Sequence, residues 1–448
     1  MTSARFRFRA LLLGGLMTAI GSCAPAPPES TIELTGASDA LLMFVGDQDK
    51  VDEDFILVLD ANPTSKARGE PIASLPIGHS MSMPHHMEYI LPPIGEPIFM
   101  NAHHPELTLA INIDDPFKPR IEHSFKPPES FRFPHDYART PEGNRLVGFL
   151  RSEGKSPNPD EKMEPDGHGG IAEYSASGEL IRTVSAAVPD AKKAVRPYAF
   201  ALLPGADRFT VTSAPMHERS WADVVQIYSF SDFELLHTLD LKTGENHEGN
   251  PVDGVNGAAF GQHVLQDGSV FLNSYGCGFY HLTDIASDAP RLDLVYSLET
   301  PPADNPDDIR GACGIPLLIG NFWVQPVGAL QQVVVLNIAN PKAPREVLRF
   351  DTPKDFRPHW MSKDPRGNRL ILGAELGGEQ GFFILRFDEA SGRIEYDPDF
   401  SAKRGSGWLS FLESPAPGYI SLERDEWPHG ASGPAWGHAA LFLNQKRR

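Results

Sequence analysis

Cysteine is scarce in this chain: the 448 residues hold three, Cys23, Cys277 and Cys313. None lies in a CxxC or other zinc-type spacing, which argues against a structural zinc module. In an oxidising compartment Cys277 (YGCGFY) and Cys313 (GACGIP) are free to pair, but spacing alone does not decide it. Beyond the N-terminus there is no apolar run long enough to span a bilayer. Basic residues are outnumbered, 40 Lys and Arg against 59 Asp and Glu, for a formal charge of -19. A surface that acidic repels phosphate backbones, so no nucleic-acid partner is expected. Sustained helical periodicity is nearly missing. There is no P-loop, no glycine fingerprint on a βαβ unit and no GxSxG elbow, which sets aside nucleotide-dependent and α/β-hydrolase chemistry. HEGNPVDG (from 247) and EPDGHGG (from 164) are acidic and glycine-rich, yet they lack the ligand pattern of an EF-hand and read as connecting loops.

Turn formers are plentiful, with 41 Pro and 40 Gly. Between them lie short β-rich runs at 41–45, 55–59, 107–113, 146–150, 209–212, 224–229, 333–338 and 370–373, separated by turns such as DANP, IDDP, PEGN, SASG, LQDG, IANP and PRGN. Many short strands with regular turns indicate an all-β sandwich, barrel or propeller. Repeats choose among these. FRFPHDYARTPEGNRLVGFL (from 131) and FRPHWMSKDPRGNRLILGAE (from 356) share Pro-His, then Gly-Asn-Arg-Leu and a strand. VRPYAFALLPGADRFTVTSA is a looser copy with Tyr198 in place of the histidine, and AFGQHVLQDGSVFLNSYG is a fourth with His263. INIDDPFKPRIEHSF and LNIANPKAPREVLRF are near-copies of a closing element. Both elements recur every roughly 45 to 65 residues, the length of a propeller blade. The expectation is an all-β fold, a single seven-bladed β-propeller over 39–448.

The N-terminus reads as an export signal. MTSARFRFR is a basic region, ALLLGGLMTAI a short apolar region, and Gly21-Ser22-Cys23 follows. The residues before Cys23 resemble a bacterial lipobox. The expected organisation is a lipoprotein signal peptide at 1–22, lipidation at Cys23, and a stiff Pro-rich tether at 23–38. Ala24 fits sorting to the outer membrane, so the propeller is expected to be exported, facing the periplasm or the surface. Its contact with the membrane would run through the lipid anchor at Cys23 only.

The densest cluster of chemistry is HSMSMPHHM at 79–87, which sets His79, His85 and His86 among Met81, Met83 and Met87. Imidazole suits copper, zinc and iron, and thioether sulfur is soft and favours Cu(I). In a propeller the innermost strand of each blade faces the axis, so residues at the starts of these strands converge. On that reading His85 or His86, His135, His263, His359 and His438 meet from different blades. Asp136 and Glu88 are candidates to fix the histidine tautomers, since metal-bound imidazoles need an acceptor on the second nitrogen. Trp323, Trp360, Trp408 and Trp436 fall near strand starts and read as core packing.

Taken in order, DFILVLDANPTSKARGEPIASLPIG, Pro84-His85-His86, LAINIDDPFKPRIEHSFKP, RFPHDYARTPEGNRL, GHGGIAEYSASGELIRTV, VVQIYSFSDFELLHTLDL, VVVLNIANPKAPREV and GPAWGHAALF resemble the selenium-binding protein and methanethiol oxidase family over roughly Leu41 to Phe442. The resemblance implies a propeller with copper held by His85, His86, His135 and His438, with His359 as a candidate replacement ligand. It implies oxidation of methanethiol by O2 and water to formaldehyde, hydrogen sulfide and hydrogen peroxide. Three departures stand out. Ala138 replaces a second histidine, Ala439 replaces an acidic residue, and MEYILPPIGEP lacks the family's cysteine, which argues against selenium or thiol-adduct chemistry. The sequence therefore leaves two functions open: a copper-dependent oxidase of a small thiol, or a metal-binding or interaction scaffold without turnover. A propeller lactonase would need a calcium or zinc carboxylate site that the sequence does not offer. No catalytic residue, organic cofactor or oligomeric state is legible.

Overall fold

The middle and outer strands differ in a way that follows from where a blade's strands sit. Runs such as Phe55–Asp60 (FILVLD) and Gln332–Asn337 (QVVVLN) are apolar on both faces and almost wholly buried, because neighbouring blades cover both sides. Arg120–Phe125, Leu180–Ser185 and Arg345–Asp351 alternate exposed with half-buried residues. These are outer edges, where charge discourages pairing with another chain. The computed structural model describes residues 38–443 apart from 153–166, 189–192, 217–220, 242–243, 246–250, 253–256, 301–312, 376–380 and 403–413. The signal segment, Cys23, most of the tether and most of the 247 loop lie outside the described residues.

Seven antiparallel sheets form a seven-bladed β-propeller. Their innermost strands, blades I to VII, are Gly433–Leu443, Pro84–Met87, Phe131–Arg139, Pro197–Leu203, Ala259–Val264, Leu317–Ile319 and Pro358–Lys363. Blade I is composite: its inner strand Gly433–Leu443 pairs with Ala40–Asp47, in register Ala40 with Leu443 and Leu41 with Phe442, and two further N-terminal strands complete it. The circle is thus closed by joining late sequence to early sequence.

The repeated Asn-Arg-Leu has a packing role. Arg145 and Arg369 each start the second strand of a blade and are fully buried. Arg145 crosses to blade II, where its Nε donates to Glu88 Oε1 (2.7 Å) and its Nη2 to the Pro97 carbonyl (2.7 Å). Arg369 pairs with Asp364 (3.0 Å) and donates to the carbonyls of Ser38 and Ala61, tying blade VII to the first residues of blade I. The looser copy has Arg208, half-buried and beside its own neighbour Asp207. Cys277 and Cys313 form a disulfide between Cα atoms 5.2 Å apart, which settles the pairing that the spacing left open. Trp323 and Trp360 are fully buried, as core packing requires, whereas Trp436 is half-buried and Trp408 lies outside the described residues.

Candidate metal centre

All the innermost strands but that of blade VI lose register with a neighbour. The shifts fall between Pro84 and Met87, Pro134 and Tyr137, Pro197 and Phe200, Ala259 and Gln262, and Pro358 and Trp360. On blade I the shift lies between Met43 and Val45, opposite the segment that carries His438. A bulge sets two residues against one and re-aims side chains that strict alternation would send to opposite faces. Here it lets His85 and His86, although adjacent, both join one buried cluster.

That cluster is close-packed. The His85 ring stacks on His86 (centroids 4.2 Å) and on His438 (4.4 Å), and His135 lies 4.2 Å from His86. His85 Nε2 and His135 Nε2 are 3.2 Å apart. Ligand atoms of His85, His86 and His438 all lie within 4.8 Å of one another. His359 borders the group through His438, 4.8 Å between centroids. Of the six histidines that the sequence places at the axis, the structure therefore brings together five: His85, His86, His135, His359 and His438. It does not bring His263: that ring's Nε2 lies 3.2 Å from the Pro316 carbonyl, and the ring packs edge-on against Trp323. His263 lies just past the bulge, back in regular register opposite Phe271, and so faces the junction with blade VI.

The ring nitrogens show what the cluster can hold. His135 Nδ1 donates to the Tyr198 carbonyl (3.0 Å), which leaves its Nε2 a lone pair facing His85. His86 Nδ1 faces Asp136 Oδ1 (3.5 Å) and the Tyr89 hydroxyl (3.4 Å). His85 Nδ1, His86 Nε2 and both nitrogens of His438 are buried with no hydrogen-bond partner. Such orphaned atoms are rare and cost about 1–3 kcal/mol each, so their concentration in one spot needs a cause. Burial, then the neighbouring imidazoles, holds His85, His86 and His438 well below the usual imidazole range, so all three present neutral rings. A transition-metal ion fits this donor set. Two imidazole nitrogens bound tetrahedrally at about 2.0–2.1 Å stand roughly 3.3 Å apart, close to the His85–His135 separation.

Asp136 and Glu88 divide differently from expectation. Asp136 serves His86 rather than its sequence neighbour His135, and burial pushes its carboxyl up to about 8 against the pull of hydrogen bonds from Tyr89 and backbone amides. Glu88 leaves the axis where its strand ends. Arg145 and Arg139 bind its carboxylate (2.7 and 2.6 Å), so it orients no histidine. Four neighbours were not anticipated as part of the site. His103 stands edge-on to His85 (5.9 Å), and Tyr198 lies 4.0 Å from His135. Trp360 lies 5.3 Å from His86, and Tyr89 stacks nearly parallel on it (4.9 Å, 10°). The paired histidines of NAHHPE were the available sequence signal for His103. Nothing local marks Tyr89 or Trp360.

No protein-family model matches the chain, and no curated protein matches it in sequence. Among solved structures, a hypothetical selenium-binding protein from Sulfolobus tokodaii superposes with a TM-score of 0.67 at 14% identity, covering 90% of this chain and 93% of that one. A periplasmic gluconolactonase from Pseudomonas aeruginosa gives a TM-score of 0.60 at 12% identity, covering 92% and 99%. At these identities the likeness is one of fold.

Proposed function

We propose that this propeller binds copper at its axis and oxidises a small thiol of the methanethiol class, as an exported protein anchored through Cys23. The observation that carries the reading is the buried set of His85, His86 and His438, each of which offers a ligand nitrogen within 4.8 Å of the others and has at least one ring nitrogen without a hydrogen-bond partner. The resemblance of the ordered motifs to the methanethiol oxidase family supports copper over other metals, and the likeness in fold to a selenium-binding protein agrees with it. The axis is lined by imidazole and aromatic rings, which gives a lactonase reading no support.

Copper would supply a soft centre that binds a thiolate and exchanges electrons with O2. The protein's part is geometry and proton control. His85, His86 and His438 hold the ion, and His135 joins them with its tautomer fixed by the Tyr198 carbonyl. Asp136 orients His86 and also receives the Tyr89 hydroxyl. Tyr89 is half-buried, and its hydroxyl lies between the Asp136 carboxyl and His86 Nδ1, where it can relay a proton between them. Trp360 and Tyr89 cover one side of the histidines and keep bulk water away. A second reading, metal binding without turnover, is favoured by Ala138 and Ala439, where the family's second histidine and acid are missing.

Metal content by mass spectrometry of copper-supplied protein, followed by O2 uptake on addition of methanethiol, tests both. About one firmly held copper per chain with thiol-dependent O2 uptake is expected. Copper without O2 uptake leaves the binding-only reading. Folded protein with no metal rejects both.

A further inference from the structure

The histidine cluster is sealed. His85, His86, His135 and His438 are each at most 2% exposed, so an ion reaches them only past other side chains. Beside it, where the inner strand of blade II begins, stand side chains able to bind a metal, graded from exposed to buried. Met81, 53% exposed, stands at the rim. Met83 is half-buried two residues further on. This segment is clamped against the 103–104 turn: His104 N–H donates to the Ser82 carbonyl (3.0 Å), His103 N–H to the Met83 carbonyl (3.2 Å), and His104 Nδ1 to the Met81 carbonyl (2.8 Å). His103 is buried and its ring reaches His85.

The backbone here is strained where no glycine relieves it. Met81 and Met83 sit at φ 54° and 53°, and Phe133, packed 5.0 Å from His103, at 58°. A side chain in the left-handed region crowds its own backbone, so L residues other than glycine rarely adopt it. Gly78, just upstream at φ 79°, shows that glycine serves such geometry in the same segment. Two methionines at strained positions, one of them largely exposed, are not accounted for by core packing.

We propose that Met81, Met83, His104 and His103 form an entry site for Cu(I), which takes the ion from solution and hands it to His85. The proposal rests on the copper reading of the axis and extends it to how the site is filled. Thioether sulfur binds Cu(I) and is a poor ligand for Zn(II) or Ca(II). The acidic chain, with its charge of -19, raises the local concentration of any cation. Transfer is ligand exchange alone: a bond to His103 breaks as one to His85 forms, copper stays Cu(I), and no electron moves.

The test is anaerobic uptake of Cu(I) by the full-length metal-free protein from its bicinchoninate complex, followed by loss of the complex's colour. M81L/M83L changes shape little. It is expected to reach the wild-type copper content at a rate slower by about tenfold or more, the scale on which residues outside the ligand shell act. Zn(II) uptake should be unchanged by the same substitutions. H86A/H438A should retain a fast methionine-dependent phase while its final copper content falls. Uptake of Cu(I) by M81L/M83L at the wild-type rate overturns the entry site. If the wild type holds no firm copper, the axial reading fails. The entry site is then judged by the fast phase alone: present in wild type and lost in M81L/M83L supports it, absent from both overturns it.

Discussion

Asp136 Oδ1 lies 3.5 Å from His86 Nδ1, and both side chains are buried, although the two residues stand 50 positions apart on different blades. The contact fixes His86 with Nε2 towards the axis. Asp136→Asn keeps the shape and replaces the carboxyl with an amide that can neither ionise nor release a proton. Metal affinity, read by competition with a chelator, is expected to fall about 10–100-fold with the fold intact, the usual effect of losing an outer-shell carboxylate. Unchanged affinity would reduce Asp136 to a buried carboxyl with no hold on the metal.

Acidity should act on the metal-free protein in two directions. His85, His86 and His438 are held well below their unfolded value of 6.5. Below about that pH the unfolded chain binds more protons, so stability falls as the solution is acidified. Asp136 behaves oppositely: its carboxyl is raised from 3.8 to about 8, so the folded state holds the extra proton in between and stability falls as pH rises across that window. Denaturant midpoints measured across both windows should show a maximum between the two slopes. D136N should flatten the alkaline slope and steepen the acid one, because the Asp136 window reaches down into that of the histidines.

Much of this was legible, for a definable reason. A propeller repeats one supersecondary unit, so Pro-His, Asn-Arg-Leu and the closing Asn-Pro turns return in phase, and phase places His85, His135 and His359 at equivalent depths. Pairings across the axis were not legible. Asp136 was expected beside its own neighbour, yet a bulge turns it to His86. Glu88 was expected at a histidine, but its strand stops at Met87 and two arginines of blade III collect it. His263 shares the repeat but sits beyond the bulge. Tyr89 and Trp360 face each other from blades II and VII, and no local pattern encodes that meeting.

The buried arginines give a stability prediction. Arg369 is enclosed with Asp364, both 0% exposed, and it spans the seam between blades VII and I. Arg369→Ala leaves an unpaired buried carboxylate and two carbonyls without their donor. A loss of about 3–5 kcal/mol in urea unfolding is expected. Arg208→Ala, at a half-buried position in the looser repeat, should cost far less, about 1 kcal/mol or under. Equal losses would remove the seam from the account.

The disulfide supplies another. Cys277 and Cys313 are 36 residues apart in sequence, and closing a loop of that length stabilises by about 4 kcal/mol in the chain-entropy picture. Replacing both by serine, or reducing the bond, should lower stability by up to about that amount. Copper content should not change, because neither cysteine touches the histidine cluster. Loss of metal on reduction would show coupling through the segment after Cys313, whose Ile315 N–H donates to the His359 carbonyl (2.7 Å).

His438 rides on the strand that closes the circle, Gly433–Leu443, whereas His85 and His86 come from the second blade. During synthesis the two histidines of blade II emerge more than 300 residues before their partner. No nascent or incompletely closed propeller can therefore present the three-imidazole set. On the proposed reading, firm axial binding of an ion would appear only at the last step of assembly and would report that the circle has shut.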